Sequence, residues 1–331
     1  DVKPVSIITT ESFWKNSGDA EAYLTGIYNA YRKLNNTSYY GEDRGDAFKA
    51  GEIGPVTVAW SQNLLESNAP SFMGAYNIIH HTNLLFSRIE GLKFTNEASK
   101  NRIKAQSYFL QAATYFHLLR NWGDVPLITE PVLSDKVELK ARSPKNAVMA
   151  FILDDIEKAI TLFPEDGYVD KNYASRPAAY ALKADALMWK AKVLGGGKAD
   201  LEAAIAAIDR VASSGVELLP DYASVFDNEN KKNKEIIFSL YFERYEVGNL
   251  SIATNTTSRT DNLSMAANLE NAATSPNNSR HVYAPSDKVR AIYLKNPADK
   301  RYPVAMIDMV DKDGKLILTQ TNKFRGHAYT D

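Results

Sequence analysis

Cysteine is absent from the 331 residues of this chain. That excludes disulfides, thiol nucleophiles and any cysteine-ligated metal site. Long apolar runs are also missing, and none approaches the ~20 residues that span a bilayer. Neither sign of charge is in excess. There are 39 basic and 40 acidic residues, a net charge of −1, and no run of five basic residues. No global field would therefore draw in nucleic acid or an anionic membrane. The N-terminus shows no basic start followed by an apolar segment, so a signal peptide is absent or already removed.

What is present is enough apolar matter, 44% of residues, to bury one large core or two modest ones. The first ~215 residues read as successive helices, on apolar spacings of three and four. Ala22, Tyr23, Ile27 and Tyr31 mark one helix, starting at Gly18 or Asp19. Phe72, Tyr76, Ile79, Asn83 and Phe86 mark another, over Ser71 to Leu92. A third, amphipathic helix carries Ile103, Phe109, Ala113, Phe116 and Leu119 or Arg120 on one buried face. Gly123 ends it where a positive φ costs least, and Pro126 cannot continue it.

Ser143-Pro144 supplies a capping hydroxyl and a first-turn proline for a helix that Pro164 ends. Ser175-Arg176-Pro177 opens the next helix. Gly195-Gly196-Gly197 turns it into a partner beginning near Asp200. Alanines at 181, 184, 186, 191 and 204 allow the close approach of tetratricopeptide hairpins. After ~220 the character changes. Glu235–Phe242 reads as a strand. Residues 249–280, rich in Asn, Ser and Thr, read as a long surface excursion or as loops with short helices. Pro285-Ser286-Asp287 opens a helix to Leu294. Val304–Val310 and Leu316–Lys323 then form a hairpin around Asp311-Lys312-Asp313-Gly314.

Residues 102–132, ending in Asn121-Trp122-Gly123-Asp124-Val125-Pro126-Leu127-Ile128-Thr129, resemble the signature of the SusD/RagB family of nutrient-binding outer-membrane lipoproteins. Gln111-Ala112 stands where that signature has Arg-Ala, whereas Tyr115-Phe116 and Gly123 to Thr129 match. Further resemblances lie in "F-x-x-A-Y-N-I-I-x-x-x-N-x-L" from Phe72, "S-R-P-A-A-Y-A-L-K-A-D-A-L" from Ser175 and "N-K-E-I-I-F-S" from Asn233. Together they cover roughly 70–245, with a looser match over 285–325. The resemblance implies a mainly α fold of tetratricopeptide-like hairpins with a loop-rich, partly β insert. It reads as one domain, with a helical core over 1–219, a loop insert at 37–70 and a mixed region over 220–331. Two family features find no counterpart, the lipidated cysteine after the signal and the C-terminal helices. Asp1 is accordingly expected to be the start of a processed chain.

Motifs that could carry catalysis are weak. Asp154-Asp155 point ~100° apart on a helix, off its apolar stripe, and are expected to be solvated. His80-His81 lacks the i, i+4 spacing for chelation, so no metal is expected. Gly195 to Lys198 lacks the G-x-x-x-x-G-K-[ST] frame and follows a helix. No G-x-S-x-G frames a serine nucleophile. A glycoside hydrolase would need two carboxylates ~5–9.5 Å apart across a cleft, and helical spacing nominates no such pair.

The aromatic- and amide-rich stretch 37–63 is different. Sugars bind a flat aromatic face through their C–H surface, and planar amides, carboxylates and guanidinium groups through their hydroxyls. This stretch supplies all of these. Trp60, Asp46, Asn63, Arg44 and Tyr40 are the leading ligand-binding candidates, followed by Asn68 and, more weakly, Tyr245, Asn249 and Tyr283. The family resemblance places the glycan site in loops of this kind. It implies a non-catalytic glycan or nutrient binder at the cell exterior, anchored by lipid to the outer membrane. Its partner would be a TonB-dependent transporter, and no cofactor or nucleic acid is expected. The alternative is a tetratricopeptide-type interaction scaffold holding no small ligand.

Overall fold

Helices dominate the chain, and the reason is local. The computed structural model describes residues 13–53, 56–134, 136, 138–242, 251–272 and 280–323. The chain folds as two units. The first takes residues up to 35, 71–217 and 236–240; the second takes 36–70, 218–235 and the chain after 240.

In the first unit, α1 (Ser17–Asn35), α2 (Met73–Ile89), α3 (Glu97–Trp122), α4 (Lys145–Leu162), α5 (Arg176–Val193) and α6 (Lys198–Ala212) follow one another. α3 packs on α1, α2 and α4, α4 packs on α5, and α5 on α6. Ser175 caps α5 as expected, its hydroxyl accepting from Ala178 N at 3.3 Å. The glycine turn delivers the chain to α6, whose N-cap Gly197 lies three residues before Asp200, and the Asp200 carboxylate accepts from Gly197 N.

α3 is not amphipathic. Every residue from Ala105 to Leu119 except Tyr108 is buried, polar Gln106, Ser107, Gln111, Thr114 and His117 included. A helix surrounded by others has no solvent face to reserve for polar groups. Its end explains the signature segment. Gly123 adopts φ 73°, and residues 125–130 then run as irregular backbone that side chains must satisfy. Tyr115 Oη donates to Ile128 O and accepts from Ile128 N at 2.8 Å. Tyr76 Oη donates to Pro126 O at 2.8 Å, and Asn83 Nδ2 to Ile128 O at 2.9 Å. Gln111 Nε2 in turn donates to Asn83 Oδ1 at 2.7 Å.

Three further expectations need correction. Pro144 is itself the N-cap of α4, and Ser143 pairs with Val125 as an isolated bridge; the capping side chain is Asp124, accepting from Lys145 N at 2.7 Å. Asp155 is not solvated but 1% exposed, because α4 is covered on more than its apolar stripe. Residues 235–242 form no strand. Ser239 N donates to Lys171 O at 2.9 Å, and Ile237 and Phe238 lie on the helical core, so a loop takes the hydrogen bonds that a neighbouring strand would have taken.

The second unit holds two small sheets. β1 (Phe48–Ala50) pairs antiparallel with β2 (Tyr283–Pro285), Phe48 opposite Pro285 and Ala50 opposite Tyr283. The expected hairpin is present as β3 (Met306–Val310) and β4 (Leu316–Thr321), with Gly314 at φ 77° in its turn. The expected helix after Ser286 is α8 (Asp287–Leu294), which follows the short α7 (Ser251–Thr256). The polar segment carries short helices as expected, α7 and 3₁₀ turns at Asp261–Leu263 and Leu269–Asn271; Thr256, Thr257, Ser258 and Leu263 are buried, whereas none of residues 264–272 is. Gly51 continues the β1–β2 pairing, its N–H donating to Val282 O at 2.7 Å. A Cβ there would lie 1.9 Å from His281 O, so only glycine allows this approach.

Candidate functional site

The leading candidates fall on two turns of the second unit that hydrogen bonds tie together. The first runs from Tyr40 to Phe48. Glu42–Arg44 makes one 3₁₀ turn, and β1 follows. The second is residues 57–63, closed by Asn63 N donating to Val58 O at 2.9 Å. Gln62 sits at φ 56° in this turn, a left-handed conformation that reverses the chain directly after Trp60.

Asp43 is the pin between the turns. It is 3% exposed, and its Oδ2 accepts from Thr57 Oγ1 at 2.8 Å and from Tyr283 Oη at 3.1 Å. Tyr283 Oη also accepts from Thr57 N, and Thr57 Oγ1 accepts from Trp60 N at 3.2 Å. Trp60 Nε1 donates to Phe48 O at 3.2 Å. The indole is thus held at its polar edge while the residue stays half-buried.

The leading candidates and Asn68 can be placed on this frame. Arg44, Asp46 and Asn63 are exposed, and Tyr40, Trp60 and Asn68 are half-buried. Tyr40 packs edge-on against Tyr39 with ring centroids 5.3 Å apart, and burial raises its hydroxyl pKa. Asn68 holds the following turn, accepting from Leu65 N at 2.7 Å and donating to Asn63 O at 2.8 Å. Asp46 pairs with Lys288, whose hydrogen bond lowers the carboxyl pKa, and its backbone oxygen accepts from Ser286 Oγ at 2.7 Å.

Tyr283 differs in kind. At 2% exposure it offers no open ring face, and its hydroxyl is spent on Thr57 and Asp43, so it positions the loops from inside. Tyr245 and Asn249 lie outside the described residues. Asp43 and Thr57 were not nominated. No local signal could have found them, because the partner they share, Tyr283, is more than 220 residues away.

The two rings of the 80–81 pair pack edge-on, with centroids 5.1 Å apart. His80 Nδ1 accepts from Val132 N at 3.2 Å, and His81 Nδ1 lies 2.6 Å from Tyr23 Oη. Among the described residues no group of His, Asp and Glu is arranged to hold a metal ion.

A protein-family model described as "Starch-binding associating with outer membrane" matches residues 8–186, more than half of the chain. The chain belongs to the SusD-like family. It is 25% identical over 264 residues to SusD-like protein P25 of Formosa agariphila, covering 73% of this chain and 48% of P25. It is 28% identical over 256 residues to SusD-like protein P2 of the same organism, covering 72% and 48%. This SusD-like chain therefore spans about half the length of those curated relatives. Among solved structures, NanU of B. fragilis superposes with a TM-score of 0.81 at 26% identity, over 97% of this chain and 69% of NanU. A laminarin-binding SusD-like protein shares the fold with a TM-score of 0.76 at 20% identity, over 94% of this chain and 72% of that one. The mainly helical architecture expected from the sequence is thus that of the SusD superfamily.

Proposed function

We propose that this SusD-like protein captures an oligosaccharide without cleaving it, on the surface built by Tyr40, Arg44, Asp46, Trp60, Asn63 and Asn68. The observation that carries the reading is the pinned Trp60. A sugar face needs a flat ring that is already immobile, since ordering a loose side chain on binding costs ~0.5–1.5 kcal/mol. The Nε1–H bond to Phe48 O and the Thr57 bond to the Trp60 amide meet that cost in the free protein. Exposed guanidinium, carboxylate and carboxamide groups nearby can then meet ring hydroxyls.

Sugar hydroxyls exchange water bonds for protein bonds of similar strength, so weak binding is expected, strengthened by multivalency. The wider role we assign is delivery of the captured glycan to a TonB-dependent outer-membrane transporter at the cell exterior, with a lipid anchor on the complete protein. The family description supports the membrane association. Among the described residues no helix is long and apolar enough to cross a membrane. Isothermal titration against a polysaccharide panel tests the site, with Trp60→Ala expected to weaken binding at least ~10-fold. Unchanged affinity in that variant removes the site.

A second reading is a protein-interaction scaffold, favoured by the exposed apolar residues Met188 and Val193 on α5 and Ile205 and Ile208 on α6. Co-purification of the transporter with every glycan titration blank would favour it.

A further inference from the structure

We infer that the helical unit carries its own small-ligand cleft, shaped for a neutral polyhydroxylated molecule of about one or two sugar rings. The cavity is about 320 Å³, at the lower end of the ~300–1,000 Å³ typical of small-molecule sites. It lies between α1, the start of α3 and the α4–α5 connection. Its floor is apolar, from Leu24, Ile103, Phe163 and Ala174, all buried. Val169 and Tyr173, 70% and 44% exposed, stand at its mouth.

One amide group of a buried residue opens to this cleft, and its donor has no acceptor among the described residues. Gln106 lines the cleft and is 6% exposed. Its orientation follows from its neighbours. Tyr28 Oη accepts from Ala174 N at 2.8 Å, so its own proton goes to Gln106 Oε1 at 2.7 Å. The carboxamide oxygen is thereby fixed, and the two Nε2 protons are left over. These donors open to the cleft, where a ligand oxygen can take the place of water.

Charge narrows the ligand further. Glu21, Glu165 and Asp170 line the cleft, and Arg102 is the cation among its lining residues. Arg102 Nε donates to Glu165 Oε1 at 3.1 Å, and that pairing raises the guanidinium pKa and lowers that of Glu165. With this pair neutralised, Glu21 still adds negative charge to the lining, which disfavours an anionic ligand and favours hydroxyl donors. An apolar floor for a C–H face, a carboxamide donor and carboxylate acceptors together describe a neutral polyol.

The cleft shares no residue with the Trp60 surface, so the two can be tested apart. Saturation-transfer NMR and titration with glucose, N-acetylglucosamine, maltose, glucuronate and putrescine would be run on the whole protein. Saturable millimolar binding of a neutral sugar is expected, at least ~10-fold tighter than glucuronate. Trp60→Ala should retain it. Val169→Trp, which fills the exposed mouth and should leave the melting temperature unchanged, is expected to abolish it. Gln106→Glu keeps the oxygen for Tyr28 but removes the donors, and should weaken it at least ~10-fold. Absence of neutral-sugar binding in the parent protein overturns the inference, as does unchanged binding in Val169→Trp. Preference for putrescine overturns the ligand class.

Discussion

The two units of this protein solve the same problem in opposite ways. The helical unit has an apolar interior in which Ile78, Ile79, Leu110, Phe116, Ile152 and Ile156 are essentially inaccessible. The second unit buries a small apolar cluster of Leu263, Met309 and Leu318. Around it lies polar matter: Thr256, Ser258, His281, Thr319, Gln320 and Asn322 are all buried. A helix closes its own backbone bonds, so its side chains are free to be hydrocarbon. Irregular segments cannot, and their N–H and C=O groups must recruit side chains. Ser258 N donates to Gln320 Oε1 at 2.8 Å, and Thr321 Oγ1 to Thr256 Oγ1 at 2.7 Å. Asn322 Nδ2 donates to Pro303 O at 2.8 Å. Loops held from within by such bonds can present a fixed surface without being helical.

The contrast breaks first where it is largest. Ile152→Ala should cost ~2–5 kcal/mol in chemical denaturation, because it leaves a cavity among packed helices; a loss under ~1 kcal/mol would mean that the helical core is not close-packed. In the second unit the sensitive change is the reverse, polar to apolar. Gln320→Leu keeps the volume but strands the Ser258 amide, and a loss of ~1–3 kcal/mol is expected. If that variant were as stable as the parent, buried polarity would not be what holds the unit.

A subtler difference comes from two buried titratable groups of the helical unit. Burial pushes the Asp155 carboxyl up to about 7, although Lys158 lies 3.2 Å away. Burial, aided by Arg120, brings His117 down to about 4. Between pH 4 and 7 folded Asp155 keeps a proton that the unfolded chain releases, so its contribution falls as pH rises. Between pH 6.5 and 4 the unfolded chain takes up a proton that folded His117 refuses, so that contribution falls as pH falls. Each slope is ~1.4 kcal/mol per pH unit, and over pH 4–6.5 they oppose. Relative to the parent, Asp155→Asn should gain stability as pH rises across this range, and His117→Gln should lose it. Melting curves at pH 4.5, 5.5 and 6.5 decide, and parallel profiles would reject both assignments.

The smallest effect is expected on the exposed surface. Asp46→Asn removes a solvent-screened pair with Lys288 and should leave the melting temperature unchanged. A clear drop would make Asp46 part of the frame rather than of the binding face.

Legibility followed the range of the interactions. Ser175 as a cap, the glycine turn before α6 and the Asp311–Gly314 hairpin could be read directly, because each is decided within a few residues. Asp311 Oδ1 accepts from both Asp313 N and Lys315 N at 2.9 Å, a turn closed by its own first residue. The strand expected over 235–242 failed because Ile and Phe there meet helices rather than a sheet. Asp155 was misread because the second layer over α4 leaves no periodic trace. In the candidate site, Trp60 and its polar neighbours stood out by residue type, whereas the roles of Asp43, Thr57 and Tyr283 did not.

The amino-acid order alone determined the helices, the Ser175 cap and the tight turns, since those depend on backbone conformation and on partners a few positions away; the cap of α4, from Asp124, did not. It also carried the family signature from Tyr115 to Thr129. Only the tertiary structure decided which polar groups went inside, which loops were pinned and where a cleft remained. Those outcomes depend on desolvation and on hydrogen-bond partners contributed by distant segments, and such partners exist only once the chain has folded.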